Sequence, residues 1–78
     1  MKLIPLASNQ NQLELNDGTV ILFSYKTPVA AFVPYGYGYI RTNHKWSSTT
    51  TKHINKWLRG CVAKPVDQSV IDNLTGVA

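Results

Sequence analysis

The stretch Leu13-Glu14-Leu15-Asn16-Asp17-Gly18-Thr19-Val20-Ile21-Leu22-Phe23-Ser24-Tyr25 decides the fold. Leu13 and Leu15 alternate with polar neighbours, Asp17-Gly18 tolerates the positive φ of a type I′ turn, and an apolar run follows. Together these read as a β-hairpin. With Asp17 and Gly18 as the loop residues, Leu15 faces Val20 and Leu13 faces Leu22, placing these aliphatics on one side of the pair. Ile21, Phe23 and Tyr25 fall on the other side and are apolar as well. A strand apolar on both sides must be covered on both, either by a curled sheet or by a protein partner.

Outward from the hairpin, Lys26-Thr27-Pro28 ends the strand, because proline removes a ladder donor and disfavours helix in the residue before it. Residues 29–33 read as the next strand and residues 39–42 as a further short one. Between them, Pro34-Tyr35-Gly36-Tyr37-Gly38 is a break whose glycines reach conformations closed to other residues. Residues 2–6 read as an edge strand, where Pro5 is tolerated.

The period changes at Ser47. Ser47, Ser48 and Thr49 are good N-cap types, and Ile54, Trp57, Leu58 and Cys61 follow at helical spacing. Gly60 suits a left-handed stop, and Lys56 and Arg59 sit where a helix C-terminus favours positive charge. Lys64-Pro65 reads as a connector to a shorter helix capped by Asp67. Val66 and Ile71 form its hydrophobic staple, and Val70 and Leu74 complete the apolar face. Strands followed by helices, without strand-helix-strand alternation, predict an α+β fold. Its expected form is a small bent antiparallel meander, then one amphipathic helix and a short C-terminal helix. Closure into a small barrel of the Sm or SH3 type is one way to accommodate such short strands, although the Asp followed by Met-Asn that marks the Sm type is missing. Leu13, Leu15, Val20, Leu22, Ile54, Trp57 and Leu58 are expected to form one buried cluster.

A chain of 78 residues is read as one domain, residues 1–78, since domains this small bury only about 60% of their unfolded surface and hold one core. Such domains usually add a disulfide, a metal or a second subunit. The lone Cys61 allows no internal disulfide, and His44 and His53 do not complete a zinc set with it, so no metal and no cofactor is expected. Self-association remains, and a homo-oligomer is expected. Residues 1–7 lack the apolar run of a signal peptide, and no stretch nears the roughly 18 apolar residues of a membrane span. The expected compartment is therefore a reducing cytoplasm, with no membrane partner.

The net charge of +4 is unevenly distributed. Arg41, Lys45, Lys52, Lys56 and Arg59 lie in a window without an acid, while Glu14, Asp17, Asp67 and Asp72 all fall outside it. Such a segment is either a surface for a polyanion or a solvated face. Tyr35-Gly36-Tyr37-Gly38-Tyr39 precedes it. Aromatics interleaved with cations can stack bases while the cations meet phosphates, and an extended segment would put the tyrosines on one face. The alternative is a glycine-kinked strand whose tyrosines pack over the helix. Trp46, just before the helix, either closes the core end or stands exposed. His53 and Cys61 have no third ligand and no orienting acid, so Cys61 reads as a structural thiol. Without a phosphate-binding glycine loop, paired carboxylates or a zinc-protease helix, no enzyme activity is expected.

Gly38-Tyr39-Ile40-Arg41-Thr42, Lys45-Trp46-Ser47 and Thr49-Thr50-Thr51-Lys52-His53-Ile54-Asn55-Lys56-Trp57-Leu58 resemble segments of small uncharacterised proteins of bacteriophages and marine viral metagenomes. In those proteins too, an Asp-Gly or Asn-Gly hairpin and a segment like Ser24 to Ala30 come first. The resemblance spans residues 13–58. It implies a phage accessory protein acting in a host cytoplasm and transfers no catalytic residue. The functional expectation is a small nucleic-acid-binding module using Tyr35, Tyr37, Arg41, Lys45, Lys52, Lys56 and Arg59. The competing expectation is an oligomeric protein-interaction factor that acts on a host protein.

Overall fold

The computed structural model describes residues 2–36 and 38–74. Its elements are β1 (Lys2–Ala7), β2 (Gln10–Glu14), β3 (Val20–Ser24), β4 (Thr27–Val33), β5 (Gly38–Thr42), α1 (Ser48–Leu58), β6 (Lys64–Val66) and α2 (Gln68–Leu74). They form a single sheet in the order β1-β2-β3-β4-β5-β6, antiparallel through β5. The expected α+β class and meander are present. The proline positions follow sheet physics: Pro5 and Pro65 lie on the two edge strands, and Pro28 sits where the β3–β4 register shifts.

Three expectations are corrected. The sheet is open, with β1 and β6 at opposite edges, so it is not a barrel of the Sm or SH3 type. Closure is unnecessary because a helix covers each face. Second, Lys64–Val66 is no connector but a strand parallel to β5, with Ile40 opposite Lys64 and Thr42 opposite Val66. The chain therefore contains a β5-α1-β6 crossover, and the sheet is mixed. A parallel neighbour needs such a crossover, and the α1 helix supplies it.

The third correction concerns register. Leu15 N donates to Thr19 O at 2.8 Å and Gly18 N to Leu15 O at 3.2 Å, so the loop is residues 16–18 rather than Asp17-Gly18 alone. Gly18 takes φ 93°, the left-handed position that a three-residue hairpin loop requires. Asp17 Oδ1 accepts from Thr19 N at 2.9 Å, and that backbone hydrogen bond holds the Asp17 carboxyl below its ordinary value. The extra loop residue places Leu13 opposite Ile21 and Glu14 opposite Val20. A shift of one residue moves a side chain to the other face, so Leu13 and Leu15 join Ile21 instead of Leu22.

The apolar residues consequently form two cores. Against α1, Leu22, Val29, Ala30, Ile54 and Leu58 are buried, with Trp57 and Ala63 packed beside them. Against α2, Ile21, Ala31, Ile40 and Ile71 are buried, with Leu13, Leu15 and the expected α2 residues Val66, Val70 and Leu74 around them. The single cluster expected from the sequence is thus divided by the sheet. Cover for both sides of β3 comes from the chain's own helices. Cys61 lies beyond the end of α1 and is exposed, so it is not part of the apolar stripe.

Each helix is fastened at its ends. Ser47 caps α1 by accepting from Thr50 N at 3.1 Å, as expected. Arg59 at φ 52° and Gly60 at φ 84° end it. Gln68, the first residue of α2, donates its Nε2 to Pro28 O at 2.6 Å, in the stretch of β4 that β5 does not reach. The two-core arrangement predicts additivity across the sheet. Ile54→Val and Ile71→Val should each cost about 0.5–1.5 kcal/mol in denaturant unfolding. The double variant should equal their sum within about 0.5 kcal/mol, because the residues share no partner. A larger departure would indicate one continuous core.

Candidate nucleic-acid interface

Side chains on β2, β3, β4 and β5 alternate between the α1 face and the α2 face. On the α1 face lie Gln10 and Gln12, Val20 and Leu22, Phe32, Tyr39 and Arg41. The α1 helix packs mainly over β3 and β4 and meets β2 at its margin, through Trp57 on Gln12. A cleft of about 550 Å³ remains there. Gln10, Gln12, Val20 and Phe32 line it from the sheet, Lys56, Trp57 and Arg59 from the helix side, Leu6 and Ala7 from β1, and Tyr39 from β5.

The aromatic side chains are in mutual contact. Phe32 and Tyr39 have ring centroids 4.7 Å apart, and Tyr39 meets Trp57 edge-on at 6.0 Å. Tyr39 remains 37% exposed, so part of this cluster is open to a ligand. Gln12 locks the tryptophan in place: its Oε1 accepts from Trp57 Nε1 at 2.9 Å while its Nε2 donates to Glu14 Oε2 at 2.9 Å. The indole can only donate and the carboxylate only accept, so these two partners fix the orientation of the amide.

Of the residues singled out in the sequence, Lys56 and Arg59 border the cleft. Lys52, Lys56 and Arg59, spaced by four and three residues, fall on the helix side away from the sheet, and all three are exposed. Arg41, half-buried on β5, donates from Nη1 to Asn55 Oδ1 at 3.2 Å, which draws its charge toward α1. Lys45 is exposed in the β5–α1 connection. Tyr35 is 88% exposed in the turn between β4 and β5, whereas Tyr39 belongs to a strand. The segment is thus not continuously extended, and Tyr35 and Tyr39 do not follow the alternating register expected of them. Tyr37 lies outside the described residues. Tyr39 does pack over the helix, as the glycine-kinked reading requires.

Sequence reasoning included Tyr39 in the aromatic segment but missed the cleft's other ring and amide residues. Phe32 was read only within a strand and Trp57 only as a core position, and Gln10 and Gln12 carried no motif. The alternation that puts glutamines two apart on the same face as Leu22 was visible only once the hairpin register was known.

A family of unknown function, DUF8033, matches residues 1–73. The chain belongs to it. No curated protein and no solved structure matches the chain.

Elsewhere in this DUF8033 member, Ser24 Oγ lies 2.8 Å from His53 Nδ1 and 3.1 Å from Thr50 Oγ1. Ser24 is 2% exposed, too enclosed to meet a substrate, so the group works as a fastener between β3 and α1. His53 also stacks near Tyr25, with centroids 6.0 Å apart, and is therefore not a free member of the helix's positive face. Trp46 is 47% exposed and donates Nε1 to Gln68 Oε1 at 3.2 Å. Among the described residues, no group of three or more His, Cys, Asp or Glu could hold a metal ion, and no helix is long and apolar enough to cross a membrane.

Arg59 occupies a left-handed conformation that L residues adopt at a cost and glycine adopts freely. Arginine at this position puts its charge beside the cleft at the expense of local stability. Arg59→Gly should therefore stabilise the fold by on the order of 1 kcal/mol in denaturant unfolding. A destabilised variant would mean that the arginine side chain contributes to folding itself.

Proposed function

We propose that this protein binds single-stranded nucleic acid, with the cleft beside α1 as the site. The observation that carries the reading is the juxtaposition of an accessible Phe32–Tyr39–Trp57 ring cluster with Lys56 and Arg59 at one cleft. Rings stack on bases of any identity, and cations beside them meet the backbone phosphates. Lys52 extends the positive face along α1, Arg41 supports it through Asn55, and Lys45 and Tyr35 are exposed for further contact. Tyr37 belongs to the same proposal from its sequence position. In keeping with the viral resemblance, we read the protein as a phage accessory module working in a host cytoplasm.

Salt-titrated binding to labelled single-stranded and duplex DNA and RNA tests this. Affinity for single strands should fall linearly on a log-log plot, with a slope of about −0.7 per phosphate neutralised. Reversing Lys52 and Lys56 to Glu should flatten the slope and abolish binding without unfolding the protein, because both side chains are solvent-facing. Tyr39→Ala should weaken binding by about 1–3 kcal/mol while leaving the slope intact. Absence of binding to any nucleic acid at low salt would overturn the proposal.

A second reading, a self-associating interaction factor, is favoured by one observation. β1 is an edge strand with Leu3 62% and Leu6 43% exposed, a pattern that invites pairing with another strand. Light scattering at high micromolar concentration should then show a dimer that Leu3→Lys disrupts. A stable monomer would remove this reading.

A further inference from the structure

A second pair of exposed rings lies at the opposite end of α1 from the cleft. A slot of about 230 Å³ opens there between the β3–β4 turn and the start of the helix. Ser24, Val29 and Thr50 are its buried lining, while Tyr25 is 50% and Trp46 47% exposed beside it. The hydroxyls of Ser24 and Thr50 are committed to each other and to His53, so the slot offers ring and methyl surface rather than a hydrogen-bond pattern. Both rings are held in place. Trp46 meets His44 edge-on at 4.3 Å and donates its indole N–H to Gln68, and Tyr25 packs near His53. Tyr25 is also strained. Ser24 pairs with Thr27, so Tyr25 and Lys26 form a two-residue hairpin loop, and Tyr25 takes φ 59°, where such loops ordinarily place glycine or asparagine. A bulky aromatic kept in that conformation is the kind of strain found at ligand sites.

Resting on the single-strand reading above, we infer that this slot is a second stacking site for the same strand, which therefore runs along α1 from the slot to the cleft. Charge connects the two sites. The helix carries no Asp or Glu, and exposed Lys52, Lys56 and Arg59 form a ridge along it. Thr50 at the slot and Trp57 at the cleft stand about 10 Å apart along the helix axis, a span that one short strand bridges. Lys26 and Lys45, each exposed and next in sequence to one of the slot's rings, add positive charge at this end. Asp67 and Asp72 reach the same end but accept from the amides of Asn43 and Gln68. The first turn of α1 also lies here, where the helix dipole favours an approaching phosphate. An apolar slot between two rings suits a peptide as well as a base, and the acid-free ridge that joins it to the cleft favours the polyanion. Stacking needs only a ring face, so the site accepts any base.

Each site holds one of the chain's two tryptophans, so fluorescence reads the sites separately. In Trp57→Phe the remaining tryptophan is Trp46, and an oligothymidylate of about ten nucleotides, within the footprint of small binding domains, should quench its emission as the strand binds. Trp46→Phe leaves Trp57 to report the cleft. Tyr25→Gly should lower affinity for the labelled strand roughly tenfold, the effect of one lost stacked base. Glycine relieves the strained turn, so the melting temperature should hold or rise, and weaker binding is then not lost folding. Trp46 emission that stays constant while the strand quenches Trp57 overturns the slot and leaves strand binding in place, as does wild-type affinity in Tyr25→Gly. No binding to any strand overturns both readings. Should Trp57→Phe fail to fold, the Tyr25→Gly titration decides alone. Quenching of Trp46 by an oligoproline peptide and not by the strand would assign the slot to a protein partner and overturn the inference.

Discussion

The structure depends on the double burial of β3 and β4. Ile21 and Leu22 are adjacent in sequence and both wholly enclosed, as are Ala30 and Ala31 directly across the sheet. Neighbouring residues on a strand face opposite ways, so this pair of strands is stable only if each face of the sheet is capped. Two short helices meet that demand, and alanine at the centre lets both approach closely. The chain is thereby three layers thick at its middle, and its hydrophobic burial is split between two small cores.

This division explains the cleft. Eleven residues of α1 pack mainly over the central strands, and the helix reaches β2 through the Trp57 indole on Gln12. The area at this margin is lined by side chains unlike those under the helix: Gln10 and Gln12 stand where Leu22 and Ala30 stand farther along. A site formed at the margin of a helix has walls from both the sheet and the helix. Its geometry is fixed by packing, as with Trp57, which touches the core on one side and the cleft on the other.

Much of the architecture was legible in the sequence. The hairpin, the meander and the Ser47 cap each follow from local patterns, and each is present; Val66 and Ile71 do join the same core. What local patterns do not fix is the pairing between elements. Asp17-Gly18 fits both a two-residue and a three-residue loop, and choosing the longer one sends Leu13 and Leu15 to the opposite core. Lys64-Pro65-Val66 is too short to show a period, and it becomes a strand only because α1 returns the chain beside β5. The cationic half of the candidate site could be read from the charge distribution, since Lys56 and Arg59 flank an apolar stripe. Its amide half could not, and neither could the grouping of Tyr39 with Trp57, because Gln10, Gln12 and Tyr39 acquire a common face only through the register of β2 to β5.

The position of the cations sets the character of any binding at this cleft. Lys56 and Arg59 lie at the C-terminal end of α1, where the helix dipole is negative and welcomes positive charge but opposes an approaching anion. Phosphate sites usually sit at the other end, where backbone N–H groups hold the anion directly. Here the attraction must come from the side-chain charges alone, and part of it offsets the dipole. Both cations are exposed, so their field is screened within about 10 Å at ordinary ionic strength. The stacking surface of Tyr39 and Trp57 is not screened in this way. A ligand that engaged only the cations would be lost as salt rises, whereas one that also engaged the rings would be retained. On the proposed single-strand reading, the rings favour a strand with unpaired bases over a duplex, whose bases are stacked on each other and closed to ring stacking.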